Sequence, residues 1–109
     1  MDIIRTTFTD KKDIYKTTKN ASIEKLSDIA DNEELVVTGY TLFKDSNKEG
    51  TETTILAVML DNGSVYATNS ATVIKDFEDI LEIFENVPVT VKKGTGTSKN
   101  NRTYMFLYI

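Results

Sequence analysis

Residues 34–43 read Glu-Leu-Val-Val-Thr-Gly-Tyr-Thr-Leu-Phe, a run dominated by β-branched and aromatic side chains. This composition favours a β-strand, because such side chains pack well on a pleated, half-buried surface. A lone glycine inside a long strand, here Gly39, is typical of a bulge or a sharp bend. Closure of a small barrel needs strands that bend strongly, so the segment predicts the first strand of a curved, mainly β domain.

Four further strands and one long helix are predicted downstream of this segment. The strands are 53–60, 64–68, 87–92 and 103–109. Asp61-Asn62-Gly63 joins the first two of these by a tight hairpin turn. Asn69 or Ser70 caps the helix, which carries an apolar stripe at 3/4 spacing and stops before Pro88. Residues 94–101 are predicted to be a flexible polar loop.

The N-terminal third has a weaker pattern and is predicted to be an irregular arm. A strand is expected at Ile3–Phe8. Apolar residues recur at helical spacing over Ser22–Ala30, so a short helix capped by its first residue is expected there. The chain is then a single domain over residues 1–109, with the arm and short helix at 1–33 and the barrel at 34–109.

The predicted order of elements in the barrel is β-β-β-α-β-β. Five strands with a helix between the third and the fourth is the arrangement of the five-stranded Greek-key OB-fold. An SH3-like barrel would lack so long an internal helix. A mixed α+β sheet is the alternative fold.

The composition argues against catalysis and metal binding. The chain has no cysteine and no histidine, which excludes thiolate metal sites and removes the commonest general base. We therefore expect no enzymatic activity, no metal and no cofactor; a carboxylate-dependent hydrolase is the least favoured alternative. Met1–Arg5 lacks the features of a signal peptide, and no run reaches the roughly 18 apolar residues of a membrane span. A cytoplasmic protein without membrane contact is expected.

The charges are unevenly distributed along a chain whose net charge is −4. Residues 70–86 carry five acids against one base, whereas residues 87–109 carry four bases and no acid. Asp76, Asp79 and Glu82 lie on one side of the predicted helix, where a solvent-exposed face is expected; a docking surface for a basic protein is the alternative. The basic C-terminal quarter locally offsets the acidic average and favours an anionic ligand.

The last predicted strand alternates between aliphatic and aromatic side chains. Its aliphatic residues are Met105, Leu107 and Ile109, and its aromatic residues are Tyr104, Phe106 and Tyr108. The aliphatic face matches the valines of the preceding strand and is predicted to face the core, which leaves the rings exposed. Exposed rings stack on the bases of single-stranded nucleic acid whatever their identity. In the alternative arrangement the aromatic side chains fill the barrel.

Two more tyrosines and six cations complete the predicted binding face. Tyr66 is opposite in parity to Val65 and Ala67, so it should face out if those two are buried. Tyr40 is a further candidate for stacking, although Tyr40 and Phe43 differ in parity and one of them is expected in the core. The cations predicted to contact phosphates are Lys44, Lys48, Lys92, Lys93, Lys99 and Arg102. Lys44 and Lys48 belong to the loop after the first strand and Lys99 to the loop before the fifth, and these two loops flank the ligand face of an OB-fold.

The segments VVTGYTLFKDSNKEG, TTILAVMLDNGSVYATNS, FEDILEIFE and PVTVKKGTGTSKNNRTYMFLYI carry a family resemblance. Over residues 34–109 the chain resembles the small single-stranded DNA-binding proteins of phages, particularly the monomer-sized type of protein-primed podoviruses. The resemblance implies an OB-fold protein that coats displaced strands during phage DNA replication in the host cytoplasm. It also implies a monomer or weak dimer, with replication proteins such as DNA polymerase as partners. The alternative function is a protein-binding barrel module that acts through its acidic helix or an exposed strand edge.

Overall fold

In the computed structural model, which describes residues 1–109, seven strands form one sheet and two helices pack on it. The strands are β1 (Asp2–Thr6), β2 (Glu24–Lys25), β3 (Glu34–Ser46), β4 (Glu52–Leu60), β5 (Val65–Thr68), β6 (Val89–Thr97) and β7 (Thr103–Tyr108). The helices are α1 (Lys11–Thr18) and α2 (Ala71–Phe84), and a single 3-10 turn covers Leu26–Asp28. The strand order is β2-β5-β4-β3-β6-β7. All neighbours are antiparallel except β2 and β5.

The long strand β3 organises the sheet. One of its edges pairs with β4 along most of its length, while the other pairs with β6 at residues 34–37 and with β1 at residues 41–44. The register with β4 shifts between Val37 and Gly39, which confirms the predicted bulge at this glycine. A Cβ on Gly39 would lie 2.5 Å from the ring of Phe8, so only glycine fits beneath that ring.

The bulge changes which residues of β3 face the main core, from odd-numbered to even-numbered positions. Before it, Leu35 and Val37 are buried in this core; after it, Tyr40 and Leu42 are. A bulge inserts one residue and bends the strand, so the sheet curls around one face. We call the face that holds the main core the concave face and the opposite one the convex face.

Both faces of the sheet are partly covered. Helix α2 closes the concave face with Val73, Phe77 and Ile80, and the Tyr40 and Phe77 rings meet edge to face with centroids 5.2 Å apart. On the convex face a smaller cluster is formed by Phe43, Ala57 and Val65. Helix α1 packs over this region through contacts with β3, β4 and β5. The convex face of β4 and β5 is therefore occupied by the protein itself.

A pair of threonines fastens α1 to the convex face. The hydroxyl of Thr17 lies 2.9 Å from that of Thr41 on β3, and both residues are fully buried. Thr41 is also 2.9 Å from the hydroxyl of Thr6 on β1. Asp10 begins the helix by accepting a hydrogen bond from the backbone N–H of Lys12 at 2.8 Å.

The predicted elements from residue 34 onward are confirmed at the coarse level. The chain is mainly β, and its five predicted strands correspond to β3–β7. The hairpin turn before Ser64 and the helix capped by Ser70 are present, the latter through a hydrogen bond from Val73 N–H to the Ser70 hydroxyl. The sheet has seven strands instead of five, because β1 and β2 add to it from the N-terminal third. The predicted loop at 94–101 is shorter, since β6 continues to Thr97.

Two predictions for the N-terminal third are wrong. Residues 11–18 form a helix instead of an irregular arm, and the predicted helix at Ser22–Ala30 is replaced by β2 and the 3-10 turn. Ile23 packs against the small convex cluster, whereas Leu26 and Ile29 enter the main core. One helical stripe cannot reach clusters on opposite faces of a sheet, so the chain stays extended between them. Neither α1 nor α2 is long and apolar enough to cross a membrane.

We expect Thr41→Val to loosen α1 while leaving the sheet folded. The change removes the hydroxyl that joins α1 to β3, and a single hydrogen bond of this kind contributes about 1 kcal/mol. Thr17 keeps an acceptor in the carbonyl of Asp13, 3.0 Å away, so no buried hydroxyl is orphaned. Hydrogen exchange should speed up at the α1 amides and not at β4.

Thr18→Val is the matched control, because the Thr18 hydroxyl bonds only the carbonyl of Ile14 in its own helix. Equal exchange rates at α1 in the two variants would contradict the role assigned to the threonine pair.

Candidate functional site

Three aromatic side chains line the convex face of β7. Tyr104, Phe106 and Tyr108 share one parity, while Leu107 on the other parity is buried in the main core and Met105 packs against it. The prediction that the aliphatic side of this strand faces the core is therefore confirmed for these two residues. Ile109 follows the end of β7 and is 59% exposed, so the prediction that it faces the core is wrong.

The three rings form a continuous series, which we call the aromatic ladder. The centroids of Tyr104 and Phe106 are 6.0 Å apart, and those of Phe106 and Tyr108 are 5.8 Å apart. The planes of successive rings are tilted by 43° and 42°. Tyr104 is 44% exposed and the other two rings are half-buried. The ladder is thus partly desolvated by its own neighbours and still open to a ligand on one side.

Two glycines on β6 provide the space that two of the rings occupy. In the pairing of β6 with β7, Gly94 lies opposite Phe106 and Gly96 lies opposite Tyr104. A Cβ on Gly94 would come within 2.5 Å of Phe106 Cζ, and one on Gly96 within 2.7 Å of Tyr104 Cζ. The rings therefore lean across the bare backbone of β6, a cross-strand arrangement in which an aromatic covers a glycine. Each ring therefore contacts β6 and keeps part of its surface exposed to solvent.

The third ring is held by a polar contact. The Tyr108 hydroxyl donates a hydrogen bond to Asn32 Oδ1, and the backbone N–H of Asn32 donates to the carbonyl of Lys93 at 2.7 Å. Asn32 has a φ of 68°, a left-handed conformation that asparagine tolerates better than most residues. Tyr108 pairs across the sheet with Lys92, which shares the convex face of β6 with the two glycines.

On the concave face of β6, opposite the ladder, a buried lysine joins this strand to residues 27–31. Lys93 is only 3% exposed; its Nζ lies 3.3 Å from the Asp31 carboxylate and 3.3 Å from the Ser27 carbonyl. Thr95 Oγ1 donates a hydrogen bond to the same carboxylate. This hydrogen bond, followed by the ammonium of Lys93, holds the pKa of Asp31 below its usual range. The prediction that Lys93 contacts phosphate is wrong, because its charge is buried and already paired.

The structure also contradicts both predicted stacking tyrosines outside β7. Tyr40 is 4% exposed and lies between Phe77 and the guanidinium of Arg5, whose carbon is 5.7 Å from the ring centroid. Its faces are therefore unavailable to a base. Tyr66 points to the concave side and packs against the main core, because Val65 is buried in the convex cluster instead. Side chains on both faces of β5 are packed against other residues. The expectation that one face of this strand is buried and the other exposed is therefore wrong.

The remaining predicted cations divide into two groups. Lys92, Lys99 and Arg102 belong to the β6–β7 hairpin that carries the ladder, and the last two are exposed. Lys44 and Lys48 lie at the far end of β3, where Lys44 is 3.8 Å from the Glu52 carboxylate. The structure therefore brings the first group together with the rings and leaves the second group apart from them.

The acidic helix contributes to the support of β7. Asp76 is half-buried and accepts a hydrogen bond from the backbone N–H of Leu107 at 3.1 Å. This contact provides an acceptor for an N–H on the edge of β7 that pairs with no other strand. Asp76 therefore has a structural role, and the prediction that it lies on a solvent-exposed face is wrong. Asp79 and Glu82 are exposed.

Sequence reasoning missed Gly94, Gly96 and Asn32. The sequence pattern predicts a flexible loop at the two glycines, yet their spacing of two residues matches the spacing of the aromatics in the same hairpin. That match is a usable signal once the hairpin register is known. Asn32 gives no comparable signal, because its contact depends on how residues 26–32 cross the sheet.

Comparison of the chain with protein-family models, curated proteins and solved structures finds no match. The function is therefore inferred from the geometry of the convex face.

The seating of the rings can be tested by proton NMR. Protons on the Cα of Gly94 and Gly96 lie against aromatic rings, so ring currents should shift their resonances upfield. Tyr104→Leu should return the Gly96 resonance toward its ordinary position and leave that of Gly94 shifted. Ordinary positions for both glycines in the unaltered protein would show that the rings do not lean on β6.

We also expect a pH-dependent contribution to stability from Asp31. A carboxyl whose pKa is lower in the folded state stabilises the fold above its unfolded pKa, near 4, and loses this contribution as the pH falls through the folded value. The free energy of unfolding of the unaltered protein should therefore fall more steeply below about pH 4 than that of Asp31→Asn. Urea titrations across this range measure the difference. Lys19 also lowers the pKa of Asp45, but Asp45 is present in both proteins, so its contribution cancels in the difference between them.

Proposed function

We propose that this protein is a non-enzymatic, sequence-independent single-stranded DNA-binding protein and that the aromatic ladder is its stacking surface. The observation that carries the proposal is the seating of Tyr104 and Phe106 over Gly94 and Gly96. Large rings are costly on a surface, and this arrangement keeps them in fixed positions with one side open. In the cell, the protein would coat displaced strands during phage DNA replication.

Stacking explains why such a surface would bind without regard to sequence. Every base has a π-face, and each base–ring stack is worth about 1–3 kcal/mol. Lys92, Lys99 and Arg102 would contact the phosphates on either side of the rings, since they border the ladder on the same hairpin. Glu34, which pairs with Lys92 across β3 and β6, places an acid beside that lysine on the same face.

The local charge reconciles an acidic protein with a polyanionic ligand. Residues 87–109 carry no acidic side chain, and although Asp31 pairs with Lys93, the other cations of the hairpin, Lys92, Lys99 and Arg102, form no ion pair. We therefore expect the hairpin to be locally basic although the net charge of the chain is −4. Binding of a polyanion depends on the potential at the contact surface, which falls off within about 10 Å at moderate salt. The five acids of residues 70–86 lie in and next to α2, which packs against the concave face.

The order of β3–β7 with α2 inserted between β5 and β6 supports an OB-type barrel as the parent fold. In that fold the face formed by the second and third strands commonly binds oligonucleotides. The corresponding strands here are β4 and β5, whose convex face is covered by α1. The proposed binding surface is accordingly displaced to the neighbouring β6–β7 hairpin.

Titration with oligo-dT tests the proposal directly. The chain has no tryptophan, so its emission comes from five tyrosines, and stacking on the two in the ladder, Tyr104 and Tyr108, should quench part of this emission at low salt. The affinity should fall with rising salt, with a log–log slope of about −0.7 for each phosphate contacted on a single strand. Unchanged emission and no binding at saturating oligonucleotide in low salt would rule the proposal out.

Tyr104→Ala should weaken oligo-dT binding by about one stack, roughly 1–3 kcal/mol, without unfolding the protein. Tyr104 is the most exposed ring of the ladder, so its loss costs little core packing. Phe84→Ala is the matched control, because Phe84 is similarly exposed, at 50%, but lies at the end of α2. Equal losses of affinity in the two variants would contradict the assignment of the ladder as the binding surface.

A protein-binding function has one observation in its favour. Ile83 and Phe84 are 76% and 50% exposed at the end of α2, beside the exposed acids Glu82 and Glu85. Such a surface suits a partner with basic and apolar groups, which could be a replication protein such as a DNA polymerase. The charge reversal Glu82→Lys should leave oligo-dT affinity nearly unchanged if this surface serves a protein and the ladder serves DNA.

A further inference from the structure

Helix α1 presents a basic and aromatic surface that the ladder does not include. Lys11, Lys12, Tyr15 and Lys16 are all exposed, and Tyr15 is 58% exposed. The spacings 11–15 and 12–16 are one helical turn, so these side chains share one side of the helix. The opposite side of α1 carries Thr17, which is buried against β3.

The lysines on this surface are free to meet an anionic ligand. Lys11, Lys12 and Lys16 form no ion pair, in contrast to Lys19, whose Nζ lies 3.1 Å from the Asp45 carboxylate. Two acids adjoin these lysines in the sequence: Asp10 already caps the helix by accepting from the N–H of Lys12, and Asp13 is half-buried in the first turn. A lone set of surface lysines is ordinarily only solvated, but here an exposed tyrosine stands among them.

The α1 surface and the aromatic ladder lie on the same side of the sheet. Thr41, which holds α1, is on the convex face of β3. Gly94 and Gly96 lie on the convex face of β6, opposite in parity to the buried Val91 and Lys93. β3 and β6 pair at Glu34 and Lys92; Thr41 lies seven residues beyond Glu34, and Gly94 lies two residues beyond Lys92 in the opposite direction, so roughly 30 Å of strand separates α1 from the ladder. A single strand of DNA that spans this distance along the convex face would contact both surfaces.

We propose that α1 is a second contact surface for the same single-stranded DNA, with lysines on the phosphates and Tyr15 as an additional stacking ring. This inference rests on the proposed function, because it extends the path of the DNA from the ladder. It implies that the occupied site is longer than the hairpin alone and that a long oligonucleotide gains contacts which a short one lacks.

The test compares Lys12→Ala/Lys16→Ala with the control Lys75→Glu, which changes the net charge equally. Lys75 is exposed on α2, the helix that packs on the concave face. Alanine favours helix, so the substitutions should not unfold α1. For long oligo-dT, the α1 variant should bind several-fold more weakly, and its salt slope should be shallower by about 1.4, from about 0.7 for each lost phosphate contact. Lys12→Arg/Lys16→Arg should restore both.

Oligonucleotide length separates the two proposals. For an oligo-dT just long enough to cover the ladder, the α1 variant should bind like the unaltered protein. If the unaltered protein binds neither length, the proposed function fails. If it binds both but the α1 variant matches the Lys75→Glu control with long oligo-dT, only the second surface is refuted. Lysine-dependent binding to phosphatidylserine vesicles without any effect on oligo-dT would also refute it, in favour of a membrane ligand.

Discussion

The bulge at Gly39 is the constraint on which the rest of the sheet depends. It lets one strand, β3, bury Leu35 and Val37 before it and Tyr40 and Leu42 after it on the same concave face. The same shift turns Thr41 and Phe43 to the convex face, where they meet α1 and the small cluster. Without the bulge, either half of β3 would expose its apolar side chains, because a slip of one residue moves every side chain to the other face.

The candidate site depends on a similar use of glycine on β6. Gly94 and Gly96 remove two side chains from the convex face, and the rings from β7 take their place. The concave side of the same hairpin is closed by Leu107, by the buried Lys93, which pairs with the exposed Asp31, and by α2 through Asp76. The ladder therefore rests on a strand pair that is fixed from behind. This rigidity limits the entropy that the rings would lose on binding a ligand.

Sequence patterns predict which residues are buried where one side of a strand or helix packs in the core and the other is exposed to solvent. This holds for β7 and for α2, whose alternation and apolar stripe agree with the structure. They failed for β5 and for residues 22–30, where side chains of both parities enter two different clusters and leave Tyr66 inside. They also failed for Lys93, because a buried lysine is recognised only by its partners, Asp31 and Ser27, which are distant in the sequence.

The central claim is that the aromatic ladder is where single-stranded DNA binds. Photocrosslinking of the unaltered protein to an oligo-dT that carries 5-iodouracil tests it most directly, since the crosslink forms with side chains in contact with the base. Mass spectrometry of the crosslinked peptides should locate the adducts on Tyr104, Phe106 or Tyr108. Adducts confined to other aromatic residues, such as Phe84 on α2, with the ladder unmodified in a protein that binds the oligonucleotide, would contradict the account.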